Sequence, residues 1–442
     1  MFGKIDGLDT MAKKYDLIVV GSGPAGAMAG KTAAEKGLKV LMLERAKSPG
    51  DKNTSGSSIF FLKELWGWMR EGPIQREIWG ADFGFVFDDE VGLIRFPLKG
   101  RHQFLDVYRN EWDNWVAHNA VEAGAELRTS TLVADVIKDE NGVVRGVVTG
   151  KGEKIEAPMT LGCDGVNSVV ARRAGLRGKW RTHEIAAAVK YDYALSSEKI
   201  EDRFGGQEDG KVCFQFWFSP EFSAGEGSYA WIFPNKDSIS VAIGVIPSDI
   251  EYNPEYYLNK FMTHPTIRPY LKGAQKRNRT THLLPLGGAV RPGVKTYTNG
   301  CMVCGDAGGF VSPVHGGGIM GAYRTAMLAV DIAADAISSG DVSADNLKVY
   351  EAKWLKEAEP VGPVQGASKE MLEFTRWFYE EVGLETWGRL LMGFPKAVFG
   401  GPLYLARFFS TQLLPTLPKI ARALHWVSKP LVDLFLSLMP KR

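Results

Sequence analysis

Three glycines near the start of the chain have the spacing of a loop that binds phosphate. The segment VVGSGPAG places Gly21, Gly23 and Gly26 in a GxGxxG pattern, after an apolar run and before small residues typical of a helix. Gly21 permits the tight turn, Gly23 lets the backbone approach a pyrophosphate, and Gly26 lets helix and strand pack closely. The helix N-terminus then offers amide donors to the phosphates. Glu44 ends the next apolar run, where a carboxylate accepts hydrogen bonds from a ribose diol, so we predict a dinucleotide site.

Two later glycine segments, CDGVNS and CGDAGGFVSPVHGGGI, carry acidic residues and extend this prediction to a flavin. An acidic residue after a buried strand accepts a hydrogen bond from a ribityl hydroxyl. A helix N-terminus after a glycine run directs amide dipoles at an anion such as a reduced flavin ring. Either segment alone is equally typical of an ordinary glycine loop, but their order after the first motif predicts non-covalently bound FAD and redox chemistry. The predicted cofactor contacts in these segments are Asp164, Gly165, Gly305, Asp306, Gly316, Gly317, Gly318 and Ile319.

Candidate catalytic and substrate-binding residues lie close to these motifs. In YAWIFP, Tyr229, Trp231 and Phe233 alternate with smaller residues, which predicts one aromatic strand face lining an apolar tunnel. Tyr229 would orient a substrate or donate a proton. Ordinary core packing accounts for the same pattern equally well. His315 precedes the last glycine run, where it would donate a proton or stabilise an anionic flavin, unless it is a loop histidine with backbone partners.

Composition and cysteine usage argue against several functional classes. A formal net charge of +2 over 442 residues gives no basic field for nucleic acid. Four cysteines make no disulfide framework and suit a reducing cytosol. Cys301 and Cys304 form a CxxC. We interpret them as small buried residues of a strand, and a thiol redox pair or half of a metal site is the alternative. Without a second CxxC, we expect no metal and no iron–sulfur cluster in this chain.

The segments around these motifs predict an α/β fold with a second, β-rich domain. The first motif lies between apolar runs at 15–21 and 39–44, a strand–helix–strand unit that implies a parallel sheet. WDNWVAHNAVEAGAEL is typical of a helix, and strands follow with a hairpin turn at Asn141 and Gly142. Between 185 and 245, alternating aromatic and β-branched residues predict an antiparallel sheet inserted into the first domain.

The two ends of the chain differ from the rest. The polar N-terminus has no apolar segment of a secretory signal, and we expect a disordered extension over 1–12. From about 386 to 442, aromatic residues are combined with almost exclusively positive charges, and prolines and charges interrupt the apolar runs. No run reaches the roughly 20 apolar residues that span a bilayer. The pattern predicts a cytoplasmic protein held peripherally on the inner face of a membrane, or a helical tail packed on its own domain or on a partner chain.

Together the three glycine motifs resemble the glutathione-reductase-type FAD-binding fold, in the branch of aromatic hydroxylases and geranylgeranyl reductases. The resemblance covers roughly residues 14–350. It implies that the first motif, with Pro24 and Ala25, holds the ADP half of FAD together with Glu44 and Arg45. The two later segments match the DG and GD motifs of that fold, which lie at the ribityl chain and the pyrophosphate.

The same resemblance adds cofactor contacts outside the glycine loops. YRNEWDNWV is similar to the family's helix whose arginine lies along the cofactor, which implies Arg109, with Asp113 capping or pairing locally. Val133 is a further implied contact. The resulting domains are a discontinuous Rossmann-like FAD-binding domain at 13–65, 101–180 and 285–350, a substrate-binding β-sheet domain at 66–100 and 181–284, and a helical amphipathic region at 351–442.

Two sets of segments resemble different members of this branch. YAWIFP and SPVHGGGI resemble geranylgeranyl reductases, which saturate isoprenoid double bonds of lipids by hydride transfer from flavin N5. PGDKNTSG and IEDRFG resemble FixC and electron-transfer-flavoprotein:quinone oxidoreductases. Isoprenoid reduction is therefore the leading hypothesis. Electron transfer from an electron-transfer flavoprotein or ferredoxin to a quinone, an aromatic-type monooxygenase, and a non-catalytic flavin scaffold are the alternatives. Since no second GxGxxG follows an apolar run, as that of a separate NAD(P)H-binding domain would, electrons would come from a donor protein or a transiently bound NAD(P)H.

Overall fold

The computed structural model describes residues 15–51, 55–60, 64–87, 90–97, 104–205, 211–222, 228–312 and 316–357. The strands of the described residues, β1 to β18 in chain order, are Leu17–Val20, Val40–Leu43, Gly56–Phe60, Ile74–Phe87, Glu90–Pro97, Phe104–Tyr108, Glu126–Arg128, Val133–Lys138, Val144–Thr149, Lys154–Glu156, Met159–Gly162, Ala186–Ala194, Val212–Phe218, Tyr229–Pro234, Ser238–Val245, Gln275–Leu284, Tyr297–Thr298 and Cys301–Val303. The α-helices, α1 to α10, are Pro24–Glu35, Trp66–Met69, Arg109–Glu122, Val169–Ala174, Ser197–Phe204, Pro254–Thr263, Arg268–Leu271, Ile319–Ser339, Ala344–Leu347 and Val349–Glu357.

The first sheet has six strands in the order β17-β18-β11-β1-β2-β7. All neighbours run parallel except β17, which is antiparallel at the edge, so the predicted strand–helix–strand unit β1–α1–β2 is confirmed. Leu17 and Val19 on β1 pack in one core with α1, α3 and α8. Ile18 and Val20 face a second core, which includes residues of a three-stranded sheet, β10-β9-β8. The parallel sheet is therefore covered on both faces, as parallel sheets generally are.

The third sheet has nine strands in the order β16-β12-β15-β14-β13-β4-β6-β3, with β5 paired to β4. The strands predicted between 185 and 245 are present as β12 to β15. The pairs among these four strands are antiparallel, as predicted, whereas β4, which lies outside that segment, runs parallel to β13 with Phe83 opposite Phe216. Between these two strands the chain passes through the six-stranded sheet and returns. Such a crossover connection allows neighbouring strands to run in the same direction.

The nine-stranded sheet presents two different faces. Helices α5 and α6 cover one of them, where Phe204 and Leu258 are fully buried. On the opposite face lies a small separate cluster around Ala188, Trp231 and Ala242. Strands β3 and β6 extend this sheet, although they fall within the segments that the sequence assigned to cofactor binding. The chain thus crosses between the two large sheets at the beginning of helix α3.

Candidate functional site

The first glycine loop connects β1 to α1, and its geometry follows from close backbone packing. Gly21 has a φ of +97°, which favours glycine, and a side chain there would overlap the carbonyl oxygen of Cys163. A Cβ on Gly26 would overlap the carbonyl oxygen of Gly21, so only glycine lets the helix begin this close to the strand. A Cβ on Gly23 would meet no atom within 4 Å. Backbone atoms therefore pack tightly against Gly21 and Gly26, whereas the space beside Gly23 is open.

The N-terminus of helix α1 points into this open space. Gly23 is its N-cap, no side chain caps it, and Pro24 occupies the first turn. Ala25 is buried beneath the loop. Uncapped amide groups at a helix N-terminus, together with the positive end of the helix dipole, are suited to bind a pyrophosphate.

Glu44 lies at the end of β2 and holds the glycine loop in place. Its Oε2 accepts hydrogen bonds from the backbone nitrogen and the Oγ of Ser22, each 2.9 Å away, and its Oε1 accepts from the nitrogen of Ala46 at 2.8 Å. Ser22 was not among the predicted residues. The neighbouring Arg45 is exposed, and Val133 is buried at the start of β8. Both stay predictions as cofactor contacts.

Helix α3 brings a partly buried arginine to the same region. The Arg109 guanidinium forms a bidentate pair with Asp113, with Nε–Oδ1 at 3.0 Å and Nη2–Oδ2 at 2.8 Å, so the predicted local pairing is confirmed. The backbone nitrogen of Arg109 donates to the carbonyl of Ser55, which ties the helix N-terminus to the start of β3. The chain therefore places Arg109 where the two large sheets approach each other.

Asp164, in the DG segment, has local hydrogen-bond partners. It accepts from Oγ of Ser168, the N-cap of helix α4, and from the backbone nitrogens of Val169 and Val170 in the first turn, at 2.6 and 3.1 Å. Burial raises the pKa of this carboxyl group, and these hydrogen bonds oppose the shift. Gly165 follows in the turn. The segment consequently shapes the site through its backbone, with the Asp164 side chain holding the turn.

The GD segment brings the pieces of the site together. Gly305 has a φ of +56°, and a Cβ there would lie 3.1 Å from the Cβ atoms of both Ala25 and Ala322. The segment therefore packs between the first turn of α1 and helix α8. Asp306 is partly exposed, and its Oδ2 lies 3.5 Å from Nε2 of His282 on β16. His282 links the nine-stranded sheet to this loop and was not predicted.

The final glycine run precedes helix α8, which begins at Ile319 with Gly318 as N-cap and no side-chain cap. The carbonyl of Gly317 accepts a hydrogen bond from the nitrogen of Ser312. A Cβ on Gly316 would lie 3.2 Å from the Oη of Tyr229. The structure thus places the predicted Tyr229 directly beside the run. His315 lies outside the described residues, so its role stays a prediction.

These observations fit a bound FAD. Two uncapped helix N-termini, of α1 and α8, lie on either side of the GD segment, and space is open above Gly23. A pyrophosphate suits the first helix N-terminus, and an electron-rich flavin ring suits the second. Residues around the loops hold the cradle in shape, among them Glu44 and Arg109.

An aromatic face continues from the glycine run across the nine-stranded sheet. Phe216 lies opposite Trp231 on β14 and opposite Phe83 on β4, so all three side chains share one face. Ring centroids of Phe216 and Tyr229 are 5.5 Å apart, and those of Trp231 and Phe233 are 6.0 Å apart. We call this set the aromatic face; its residues are Phe83, Phe85, Phe214, Phe216, Phe218, Tyr229, Trp231 and Phe233.

Beside the aromatic face lies a floor of small residues. Ala188 is opposite Gly244, and Ala242 is opposite both Lys190 and Trp231, so these side chains point to the same side of the sheet. Lys190 is buried there, with only 8% of its surface exposed. Sequence reasoning missed Lys190. The signal was a charged residue at an inward position of the apolar run AAAVKYDYAL.

The CxxC is part of a buried core. Cys301 is the first residue of β18, and burial raises the pKa of its thiol well above the ordinary range. The Sγ of Cys304 contacts the carbonyl of Thr325 and the hydroxyl of Tyr350. Within the described ranges, no group of His, Cys, Asp and Glu side chains is arranged to hold a metal ion. In the same part of the chain, no helix is long and apolar enough to cross a bilayer.

Comparisons with known proteins agree with this site. A family model described as FAD dependent oxidoreductase matches residues 16–189. The chain is 32% identical over 354 residues to protein FixC of Bradyrhizobium diazoefficiens, covering 76% of this chain and 80% of FixC. It is 30% identical over 345 residues to digeranylgeranylglycerophospholipid reductase of Methanocaldococcus jannaschii, covering 78% and 83%. A solved geranylgeranyl bacteriochlorophyll reductase-like structure from Thermoplasma acidophilum has the same fold, with a TM-score of 0.72 over 93% of this chain and all of that chain, at 23% identity.

Proposed function

Because this chain belongs to the FAD-dependent oxidoreductase family that includes FixC and the geranylgeranyl reductases, we propose that it reduces isoprenoid carbon–carbon double bonds of a membrane lipid or of a quinone side chain. The observation that carries the proposal is the aromatic face, which begins beside the last glycine run. Tyr229 lies next to Gly316, and the other rings continue from it over three neighbouring strands.

The aromatic face suits a long apolar ligand. Phe83, Phe216, Phe218 and Phe233 are only partly buried, so their rings remain available to a substrate. Neighbouring ring centroids are 5.5 to 6.3 Å apart, so the rings form a continuous apolar surface. Such a surface binds hydrocarbon by burial rather than by hydrogen bonds. An isoprenoid chain is a ligand of this kind.

When bound, the reduced flavin supplies the hydride that adds to one alkene carbon. The chain's own residues would position the alkene and supply a proton to the other carbon. We assign orientation of the substrate, or proton donation, to Tyr229, since its hydroxyl lies beside the glycine run. His315 is assigned the second proton-donating role from its place in the sequence. Trp231 and Phe233 would form the wall of the binding site.

Electron transfer to a quinone is the second candidate, and the similarity to FixC favours it. In that case an electron-transfer flavoprotein or ferredoxin would reduce the flavin, and the quinone would reoxidise it. A donor protein or NAD(P)H would supply the electrons for alkene reduction as well. We also propose that the basic, aromatic segment 386–442, which lies outside the described residues, holds the enzyme peripherally on the inner face of the membrane.

The predicted domain division is part of this proposal, with the nine-stranded sheet as the substrate-binding unit.

The proposed function is tested under anaerobic conditions. The holoenzyme is reduced with dithionite and mixed with a geranylgeranyl lipid or with a short-chain quinone, and flavin absorbance and product mass are followed. A mass gain of about 2 Da per double bond supports the reductase. Rapid reoxidation by quinone, with the lipid unchanged, would reject it in favour of the second candidate.

A further inference from the structure

The edge strand β16 belongs to a strongly basic part of the chain. The 50 residues from Tyr256 to Gly305 contain eight Lys and Arg residues and no Asp or Glu. The whole chain has 53 basic and 51 acidic residues, so the remainder of the chain carries a net negative charge. Six of the eight cations fall between positions 260 and 279. We call these six residues the basic edge; they are Lys260, Arg268, Lys272, Lys276, Arg277 and Arg279.

The basic edge is exposed to solvent, on β16 or in the segment of helices α6 and α7 that precedes it. Among the described residues, β16 is an edge strand of the nine-stranded sheet and pairs only with β12. Arg277 forms an ion pair with Asp237, and Arg279 forms one with Glu255. The other four cations form no ion pair with a residue that the structure describes. Uncompensated positive charge therefore remains on this surface.

Strand β16 leads from these cations to the predicted cofactor site. Near its other end, Nε2 of His282 lies 3.5 Å from Oδ2 of Asp306 in the GD segment. A Cβ on Gly316, in the last glycine run, would lie 3.5 Å from Cδ1 of Leu284, the final residue of β16. Arg279 precedes His282 by three residues, roughly 10 Å along a strand. A protein bound at the basic edge would thus lie next to the loops of the cofactor site.

We propose that the basic edge is the docking surface for an acidic electron-carrier protein that reduces the bound FAD. Both candidate functions require reduction of the flavin, so the inference goes beyond the proposed function and holds for either substrate. Two reduced carriers, bound in turn, each release one electron, and FAD takes up both electrons together with protons from water. Complementary charge steers such a carrier to its docking surface and fixes its orientation there.

The order of the nine-stranded sheet separates this surface from the proposed substrate side. Strand β4, which carries Phe83 of the aromatic face, is five strands away from β16, and β5 follows it with the exposed side chains of Val91 and Leu93. Neighbouring strands lie about 4.8 Å apart, so the separation is roughly 25 Å. A lipid would approach at β4 and β5 and the carrier at β16, and the two would not compete.

Open space beside β16 is suited to receive acidic side chains of the carrier. A cleft of about 320 Å³ lies next to the strand, and Lys199, Gln275 and Arg277 are among the residues that line it. Asp237 also lines the cleft and accepts two hydrogen bonds from Arg277, of 3.3 and 3.0 Å. A guanidinium that is already held in place loses little side-chain freedom on binding a carboxylate. The segment 386–442 is itself basic, so it is not a suitable occupant.

Protection of the sheet edge is the alternative explanation. Exposed edge strands frequently carry charged residues, lysine above all, which prevent pairing with strands of other molecules. In that role the charges keep the protein soluble, and no acidic carrier binds to them. The two explanations therefore differ in a measurable quantity, the affinity for such a carrier.

The experiment measures binding of a carrier to the oxidised holoenzyme, without turnover. The probe is a plant-type [2Fe–2S] ferredoxin, a small acidic protein, in its oxidised form. Calorimetry gives the dissociation constant at about 20 mM and about 200 mM salt. The test variant is Lys272→Glu/Lys276→Glu. Lys151→Glu/Lys154→Glu is the matched control, because both lysines are exposed at or next to the turn between β9 and β10 and net charge changes equally.

The wild type and the control are expected to bind ferredoxin at low salt, and their affinity should fall at least about tenfold at the higher salt concentration. At low salt the test variant should bind at least about tenfold more weakly than the control, and reduced ferredoxin should reduce its flavin more slowly by a similar factor in stopped-flow measurements. Thermal unfolding checks that both variants are folded.

No binding by the wild type, or equal affinity of the test variant and the control, would overturn the proposal. Sedimentation with phosphatidylglycerol vesicles tests a membrane as the occupant: loss of vesicle binding in the test variant, with ferredoxin binding retained, would assign the basic edge to the lipid surface instead. Dithionite reduces the flavin without a carrier. Reoxidation of the dithionite-reduced test variant by lipid or quinone should therefore equal that of the wild type, and failure of the proposed function would be seen separately in that assay.

Discussion

The guanidinium of Arg177 donates a hydrogen bond from Nε to the carbonyl oxygen of Ala307, 3.0 Å away, although the two residues are 130 positions apart in the sequence. Its Nη2 donates to the carbonyl of Val166 at 2.9 Å. Arg177 thus connects the GD segment to the DG segment. It is buried and stacks at 4.2 Å on the ring of Trp180, which fixes the plane of the guanidinium. The two loops that border the cofactor site therefore keep a constant spacing.

Replacing this arginine should loosen the cofactor site. In Arg177→Met the carbonyls of Ala307 and Val166 lose their donor, and we expect the dissociation constant for FAD to rise about tenfold. FAD titration of apoprotein measures the change. Arg173→Met is the matched control, since its side chain is 59% exposed and lies 3.7 Å from Asp135. Equal FAD affinity in Arg177→Met and the control would show that the two loops do not need this connection.

Substitutions at two glycines of the first motif should affect stability and cofactor binding differently. In Gly26→Ala the new methyl group overlaps the Gly21 carbonyl, so the apoprotein should lose about 1–3 kcal/mol of stability. Gly23→Ala adds a methyl group in open space at a φ of −68°, so its apoprotein should unfold at the wild-type temperature. It should nevertheless bind FAD at least about tenfold more weakly, because the methyl group lies where the pyrophosphate approaches. Thermal unfolding of both apoproteins and FAD titration check this difference; normal FAD binding by Gly23→Ala would contradict it.

Tyr229→Phe tests the hydroxyl group beside the glycine run. Flavin content should stay unchanged, because the ring still packs against Phe216 at the same place. Reoxidation of the reduced flavin by substrate should slow by about 100-fold if the hydroxyl donates the proton, and by less than about tenfold if it only orients the substrate. Stopped-flow absorbance gives the rate. Tyr193→Phe serves as control, since its hydroxyl contacts Met262 on the other face of the sheet.

Local features of this chain could be predicted from the sequence because they depend on short-range chemistry. The glycine spacing indicated the turn at Gly21, and Glu44 indeed follows β2 directly and accepts hydrogen bonds from the same loop. The pairing of Arg109 with Asp113 is a contact between residues four apart on one helix, which sequence spacing alone can predict. The alternation in YAWIFP likewise gave the correct strand and its aromatic side.

Contacts between distant segments could not be predicted in this way. The parallel pairing of β4 with β13 joins segments about 130 residues apart, and only packing of the whole sheet sets its register. The direction of a side chain is equally hard to predict: nothing in CDGVNS says that the Asp164 carboxylate accepts from the first amides of the helix that follows it. Lys190 was missed although it stands at an inward position of an apolar run, and Arg177 was missed because a single buried charge in an irregular segment has no sequence pattern. Their partners, Gly56 and Ala307, are backbone carbonyls that any residue could supply.

The buried carboxyl group of Asp106 should make the stability of the protein depend on pH. Burial raises its pKa to about 8 from an ordinary value of 3.8, while Ser58 and Arg76 oppose the shift. Between these values the folded protein holds a proton that the unfolded chain has released, so the free energy of unfolding should fall as pH rises from about 4 to about 8. In Asp106→Asn the side chain stays neutral, so this slope should disappear. At pH 8.5 the free energy of unfolding of the variant should therefore exceed that of the wild type by on the order of 2 kcal/mol. Urea unfolding at pH 4.5 and 8.5 measures both slopes. The exposed Asp249→Asn should keep the wild-type slope, and a persistent slope in Asp106→Asn would assign the pH dependence to another group.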